Sequence, residues 1–169
     1  MIEIRPARPS DADALAELRW EFRAGPGGTT ESHDAFVARC AAWMQKELAD
    51  GESWRAWVAL EVEGPAAGPE PRRGDAGHKI VGQVWLHTIN KVPNPMAERE
   101  RHAYLSNLYV TPPARGGVGT RLLETVLAQA SADLVDSVVL WPSARSRSLY
   151  SRRGFTAHGE VLELRSTDR

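Results

Sequence analysis

Cysteine is almost missing from this 169-residue sequence, Cys40 being the only one. A lone thiol excludes an intramolecular disulfide and any thiolate metal cluster held within one chain. Net charge is almost missing too, at -1 with 21 Lys and Arg against 22 Asp and Glu, so bulk charge draws the chain neither to nucleic acid nor to an anionic membrane. No apolar run approaches membrane-spanning length, and Met1-Ile2-Glu3-Ile4-Arg5-Pro6 is not a basic segment leading into an apolar one. The expectation is a cytoplasmic protein with no nucleic-acid and no membrane partner. His33, His78, His87, His102 and His158 are dispersed without metal-ligand spacing and read as surface or strand-end residues, so no metal is expected. No internal repeat is found.

What remains is an ordinary globular composition. With 42% hydrophobic and 25% charged residues, the chain fits one domain over residues 1–169, long enough to bury a core. Ile2 and Ile4 alternate around Glu3 as a first strand, Pro6 and Pro9 end it, and Ser10 can cap a helix with Leu15, Leu18 and Phe22 on its apolar side. After a break at Gly25-Pro26-Gly27-Gly28, Ser32 caps a second helix carrying Phe36, Val37, Cys40, Trp43, Met44 and Leu48 up to Gly51. Trp54 to Val62 and Lys79 to Thr88 read as strands, with the Gly- and Pro-rich stretch 64–77 between them as a surface loop. Tyr104 to Val110 is a further strand, and a helix starts near Val118 with Leu122, Leu123, Val126, Leu127 and Ala130 on one side.

Val138-Val139-Leu140-Trp141 is short, apolar and not alternating, which predicts a central strand covered on both faces. Ser143 then caps a short helix through Leu149 and Tyr150 that stops at Gly154, with Phe155 placed for the apolar contact of a glycine C-cap. Val161, Leu162 and Leu164 suggest a closing strand. The order β-α-α-β-β-β-α-β-α-β predicts a mixed sheet with helices on both faces. The six tryptophans are assigned to packing by default. Cys40, beside Ala41, Ala42 and Trp43 on a helical pattern, is not expected to be a nucleophile.

The stretch that carries chemistry runs from Leu108 to Leu123. Pro112 and Pro113 stop the strand, Gly116, Gly117 and Gly119 allow positive φ and close backbone approach, and the helix that follows presents unpaired N–H groups. The amides from Gly116 to Thr120, including Val118, therefore open onto a helix N-terminus with Arg115 alongside, which suits a phosphate. Taken alone, such a turn is more often plain punctuation between strand and helix than a ligand site. A dinucleotide fingerprint is disfavoured because Leu122 stands where its third glycine would be and no leading βαβ unit begins the chain.

With Leu108-Tyr109-Val110, Arg115-Gly116-Gly117-Val118-Gly119 and Leu149-Tyr150-Ser151-Arg152-Arg153-Gly154-Phe155 in this element order, the sequence resembles the GNAT superfamily of acyl-CoA-dependent N-acetyltransferases over nearly its whole length. The resemblance implies an α/β (mixed α+β) GNAT fold: a central, mostly antiparallel mixed sheet of six to seven strands, splayed at the cofactor site, with about four helices on both faces. It implies acetyl-CoA as cosubstrate, its pyrophosphate held at the glycine turn. The family pattern Q/R-x-x-G-x-G/A is one residue short here: with Gly117 and Gly119 on its glycine positions, its basic position falls on Ala114 and Arg115 comes one place late. Leu108, Tyr109 and Val110 would lie at the splayed strand edge and pair with the amides of the pantetheine arm. Ser143 occupies the position, seven before the tyrosine, where many members carry a cofactor-contacting Asn. Tyr150 would be the general acid toward the coenzyme A sulfur, and a homodimer is a further implication of the family.

The implied acceptor is a primary amine that attacks the thioester directly. An alkylamine with a pKa of about 10.4 is mostly protonated at neutral pH, so some group must take a proton. Glu21, Glu98, Glu100 and His102 are candidates whose position the sequence does not fix, and water relayed by Ser106 or Asn107 is an alternative. Arg145, Arg147, Arg152 and Arg153 beside Tyr150 either reach the cofactor's 3′-phosphate or form an exposed helical face. Two rival readings stand beside the acetyltransferase. One is a transferase for a larger acyl group, and the other is an acyl-CoA-binding sensor or regulatory domain without turnover.

Overall fold

The structure is a computed structural model that describes residues 1–24, 28–62 and 78–157. Its elements are β1 (Ile2–Pro6), α1 (Ala12–Arg23), α2 (His33–Asp50), β2 (Trp54–Val62), β3 (His78–Asn90), β4 (Arg101–Val110), α3 (Val118–Ala132), β5 (Ser137–Val139) and α4 (Arg147–Ser151), with single 3-10 turns at Pro9–Asp11 and Pro112–Ala114. The strands lie side by side in the order β1-β2-β3-β4-β5. The first four are antiparallel and β5 joins β4 in parallel, which makes the sheet mixed. Six to seven strands are expected and five are found among the described residues. The strand expected at Val161 to Leu164 lies outside them, as do His158 and the loop at 64–77.

The alternation of β2 divides the core in two. Trp57 and Ala59 pack with Val84, Leu86, Leu105, Leu122 and Val126 on the α3 side, while Ala56, Val58 and Leu60 pack with Leu15, Ala16, Met44 and Trp85 on the α1–α2 side. A strand covered on both faces needs apolar residues at consecutive positions, hence the unbroken run Ala56-Trp57-Val58-Ala59-Leu60. Gln83, the fully buried polar residue of β3, ties α1 to the sheet: its Nε2 donates to the Leu15 carbonyl at 3.0 Å and its Oε1 accepts from Trp85 Nε1 at 2.8 Å. Both halves of the amide are satisfied, so its burial carries little penalty.

One local expectation is corrected at the start of α1. Ser10 is not the cap of α1. That place belongs to Asp11, at the end of the 3-10 turn, whose carboxylate accepts from the Arg8 N–H at 2.7 Å and from the Arg5 guanidinium at 2.7 and 2.9 Å. The carboxylate makes no bond to the α1 amides; it faces back over the 3-10 turn, where the guanidinium and the Arg8 amide offer it charge-assisted bonds. β5 pairs with β4 over three residues, with Val139 39% exposed and Trp141, just beyond it, 62% exposed, and the strand expected at Val161 to Leu164, which would lie on its other side, is outside the described residues. Beyond Val139 the chain parts from β4 and walls a cavity. Ser32 does cap α2, its Oγ accepting from the Ala35 N–H at 3.3 Å, and Gly51 ends that helix in the left-handed conformation. Among the described residues no helix is long and apolar enough to cross a membrane.

Candidate active site

β4 and β5 pair only where His102, Ala103 and Tyr104 face Ser137, Val138 and Val139. From Leu105 onward β4 continues to Val110, whereas the chain after Val139 turns away, so the two strands part like a fork. A bulge falls in the freed stretch. Ser106 faces Trp85 and Tyr109 faces Gln83, leaving Asn107 and Leu108 opposite Val84 alone, and Asn107 takes a φ of 56°. Asparagine is among the few side chains that enter this region readily, and a bulge bends its strand and re-aims its side chains.

The fork opens into a cavity of about 420 Å³. β4 contributes Tyr104, Ser106, Asn107 and Leu108, the segment after β5 contributes Trp141 and Ser143, α4 contributes Tyr150, and α1 contributes Arg19, Phe22 and Arg23. Tyr150 is 8% exposed, and its position follows from how α4 ends. The Phe155 N–H donates to the Tyr150 carbonyl at 3.2 Å, the Gly154 N–H donates to Ser151 at 3.1 Å, and Gly154 sits at a φ of 84°. This pair of bonds is a Schellman cap, which calls for a glycine there and an apolar contact between the residues at its two ends. Those residues are Tyr150 and Phe155, whose rings meet edge to face at 5.6 Å. The spacing Tyr-x-x-x-Gly-Phe is thus a clamp on the phenol ring. The Tyr150 hydroxyl has no hydrogen-bond partner among the described residues, and it is not sealed off, since the one enclosed unpartnered side-chain atom there is a Glu98 oxygen. Burial pushes the phenol pKa above its ordinary value.

The glycine turn lies at the end of the same strand. Gly116 and Gly117 take φ of 123° and 100°, Gly117 is the N-cap residue of α3, and no side chain caps the helix. The first helical bond runs from the Arg121 N–H to the Gly117 carbonyl at 3.0 Å, so the amides of Val118, Gly119 and Thr120 precede the ladder and have no acceptor among the described residues. A Cβ at Gly116 or Gly117 would meet nothing within 4 Å, which leaves the space over the turn open. Arg115 folds back along β4, its Nε donating to the Val110 carbonyl at 3.4 Å. Val110, Val118 and Tyr150 belong to one core cluster, so turn and phenol are held by the same packing.

Leu108, Ser143 and Tyr150 therefore meet in one cavity, with Val110, Arg115 and the Gly116–Thr120 amides continuing from it along β4 and into α3. Tyr109 points elsewhere: its hydroxyl donates to Glu21 at 3.3 Å, and burial together with that carboxylate raises its pKa. Ser143 is not the cap of α4. Ser146 holds that place without a side-chain cap bond, and the two hydroxyls bond each other at 3.0 Å, because the chain from 143 to 146 forms its own turn first.

None of the candidate bases lines the cavity. Glu98 accepts from Lys91 at 2.6 Å, Glu100 from the Asn94 N–H at 3.0 Å, and His102 Nδ1 bonds Ser137 at 2.6 Å, all at the other end of β4. Cys40 is half-buried, and burial raises its thiol pKa, the opposite of an activated nucleophile. Arg153 pairs with Glu124. Sequence reasoning missed Trp141 as a wall and missed the α1 residues. The signal for Arg19 was present, because it stands one helical turn after the fully buried Leu15 and so shares its inward face.

A scan of family models matches residues 15–155 to the Acetyltransferase (GNAT) family. The chain belongs to that family. No curated protein gives a significant match. Among solved structures, the GNAT chain superposes on a predicted acetyltransferase with acetyl-CoA from Clostridium acetobutylicum, with a TM-score of 0.73 and 22% identity over 98% of this chain and 96% of that one. It superposes also on a GCN5-related N-acetyltransferase from Ralstonia eutropha, at 0.72 and 23% over 97% and 98%. A third is glucosamine-6-phosphate N-acetyltransferase from Arabidopsis thaliana, at 0.68 and 16% over 99% of each chain. At these identities the likeness is one of fold.

Proposed function

We propose that this GNAT-family chain is a single catalytic domain that transfers an acetyl group from acetyl-CoA to a primary amine by direct attack. The observation that carries the reading is the unpartnered Tyr150 hydroxyl facing the fork between β4 and β5. The pantetheine arm lies along the free edge of β4 at Leu108 to Val110 with Ser143 across the cavity, and the diphosphate sits on the amides from Gly116 to Thr120 with Arg115 beside it. The amine enters from the α1 side. Its nitrogen attacks the thioester carbonyl carbon, the carbon–nitrogen bond forms, and the carbon–sulfur bond breaks. The sulfur leaves as a thiolate, and the proton lost from nitrogen passes to water. Positioning of the two reactants supplies much of the rate.

Tyr150 stabilises the leaving thiolate by donating a hydrogen bond. Full proton transfer from a phenol with a pKa of about 10 to a thiolate whose acid has a pKa of about 8.5 is uphill by ~2 kcal/mol. Burial raises the phenol further, so the proton stays on oxygen and the stabilisation is electrostatic. The test is acetyl-CoA-dependent thiol release over a panel of amines. Tyr150→Phe should lower turnover by about 10- to 100-fold, or ~1.4–2.7 kcal/mol, while acetyl-CoA affinity stays within about twofold. Wild-type turnover in that variant removes the role. Tight coenzyme A binding with no amine acetylated favours a sensor, and faster release from a bulkier thioester favours a larger acyl group.

A further inference from the structure

The α1 wall of the cavity is cationic and has no counter-charge. Arg19 and Arg23 both line it, and no Asp or Glu does. The Arg19 guanidinium is partly buried, yet its single hydrogen bond among the described residues is to a neutral group, NH1 donating to Asn107 Oδ1 at 3.0 Å. Its carbon lies 6.0 Å from the centre of the Phe22 ring, and that of Arg23 lies 5.8 Å from the same ring, so two like charges share one aromatic spacer. Arginines in comparable settings elsewhere in the fold are matched by carboxylates: Arg5 by Asp11 and Arg55 by Asp133. Burial and the neighbouring Arg23 both push the Arg19 pKa below its ordinary value, which is what a cation held without a partner experiences. A half-buried charge is costly unless something pairs with it.

We infer that the acceptor is a small amino-carboxylate of the free α-amino-acid type, whose carboxylate is bound by Arg19 at the α1 wall while its amine faces the thioester. The inference rests on the acetyl-transfer reading above. The guanidinium is fixed by Asn107 at the bulge, and its remaining N–H donors form the fork that suits a carboxylate. Tyr104 and Trp141, whose rings meet at 5.0 Å, give the cavity an aromatic wall for an apolar side chain. The same pair of arginines disfavours a polycationic acceptor. It also favours the neutral form of an amine bound beside it, which eases the proton loss for which the cavity supplies no carboxylate.

The experiment pairs each acid with its amide: phenylalanine with phenylalaninamide and methionine with methioninamide, alongside phenethylamine and spermidine, all at saturating acetyl-CoA. The acids should exceed their amides in kcat/KM by about tenfold or more, ~1.4 kcal/mol. Arg19→Gln should bring that ratio down toward one with acetyl-CoA affinity unchanged, and Arg19→Lys should keep part of it. Amides or spermidine accepted as well as the acids would overturn the inference and leave acetyl transfer standing. So would a ratio that survives Arg19→Gln while acetyl-CoA affinity drops, since the arginine would then serve the cofactor's phosphates. If no amine is acetylated, the transfer reading fails by itself, and calorimetry on the coenzyme-A-loaded protein decides the rest. Binding of phenylalanine that Arg19→Gln abolishes supports the carboxylate site, and no binding of either acid overturns it.

Discussion

Replacing Gly117 by alanine separates the shape of the α3 turn from the room around it. A Cβ there meets nothing within 4 Å, so the substitution creates no clash and acts through the backbone alone. At a φ of 100° the residue lies beyond the small left-handed region open to L-amino acids. Holding alanine there costs about 1–3 kcal/mol, and the chain escapes the cost only by rotating the peptide planes on either side, which turns the first α3 amides away from the phosphate. Hydrogen bonds to a charged group are worth about 1.5–3 kcal/mol each. Loss of one therefore weakens acetyl-CoA binding by at least about tenfold. The control is Gly51→Ala at the end of α2, which also has a positive φ, of 65°, and open space around the Cβ, far from the turn. Thermal unfolding should show both variants lower by a few degrees, at roughly 2–4 °C per kcal/mol for a chain of this size. Calorimetric titration should show weakened acetyl-CoA binding only for Gly117→Ala. If a folded Gly117→Ala binds with wild-type affinity, the amides of that turn are not the anion seat.

Two further outcomes follow from the packing. Burial by itself would raise the Asp11 carboxyl, but the Arg5 guanidinium and the Arg8 N–H outweigh it and hold the group below its ordinary value. A depressed folded-state pKa gives stabilisation that is complete above the unfolded value of about 3.9 and is lost as pH falls through the folded value. Asp11→Asn should thus be less stable than wild type by about 1.5–3 kcal/mol at neutral pH, with the gap closing below about pH 4. Urea unfolding at both pH values checks this, and a gap indifferent to pH argues against the ion pair. Phe155→Ala should loosen the Tyr150 ring and reduce turnover more than acetyl-CoA affinity. Combined with Tyr150→Phe it should cost little beyond Tyr150→Phe alone, because the two act through one phenol; additive losses in turnover would show that Phe155 acts otherwise.

Short-range patterns in the sequence determined much of this protein. The bounds of β2, the start of α3, the Ser32 cap and the Gly51 stop match their expectations because each depends on residues within a turn or two of one another. The Tyr-x-x-x-Gly-Phe clamp is equally local, since the Schellman cap spans only six residues, 150 to 155. Pairing decided the rest. Val138 to Trp141 reads as one apolar run, and only the register of β4 against β5 reveals that the chain parts from β4 after three residues and turns Trp141 into a wall. Arg19 reads as one more charge on α1 until Asn107, 88 positions away, is brought beside it by a bulge. Glu98, Glu100 and His102 are close to the fork in sequence and yet do not line its cavity, because they stand at or before the β4 end where the strand is still paired with β5. Which residues face one another across a cavity is set by non-local register, and that information is spread over the whole chain.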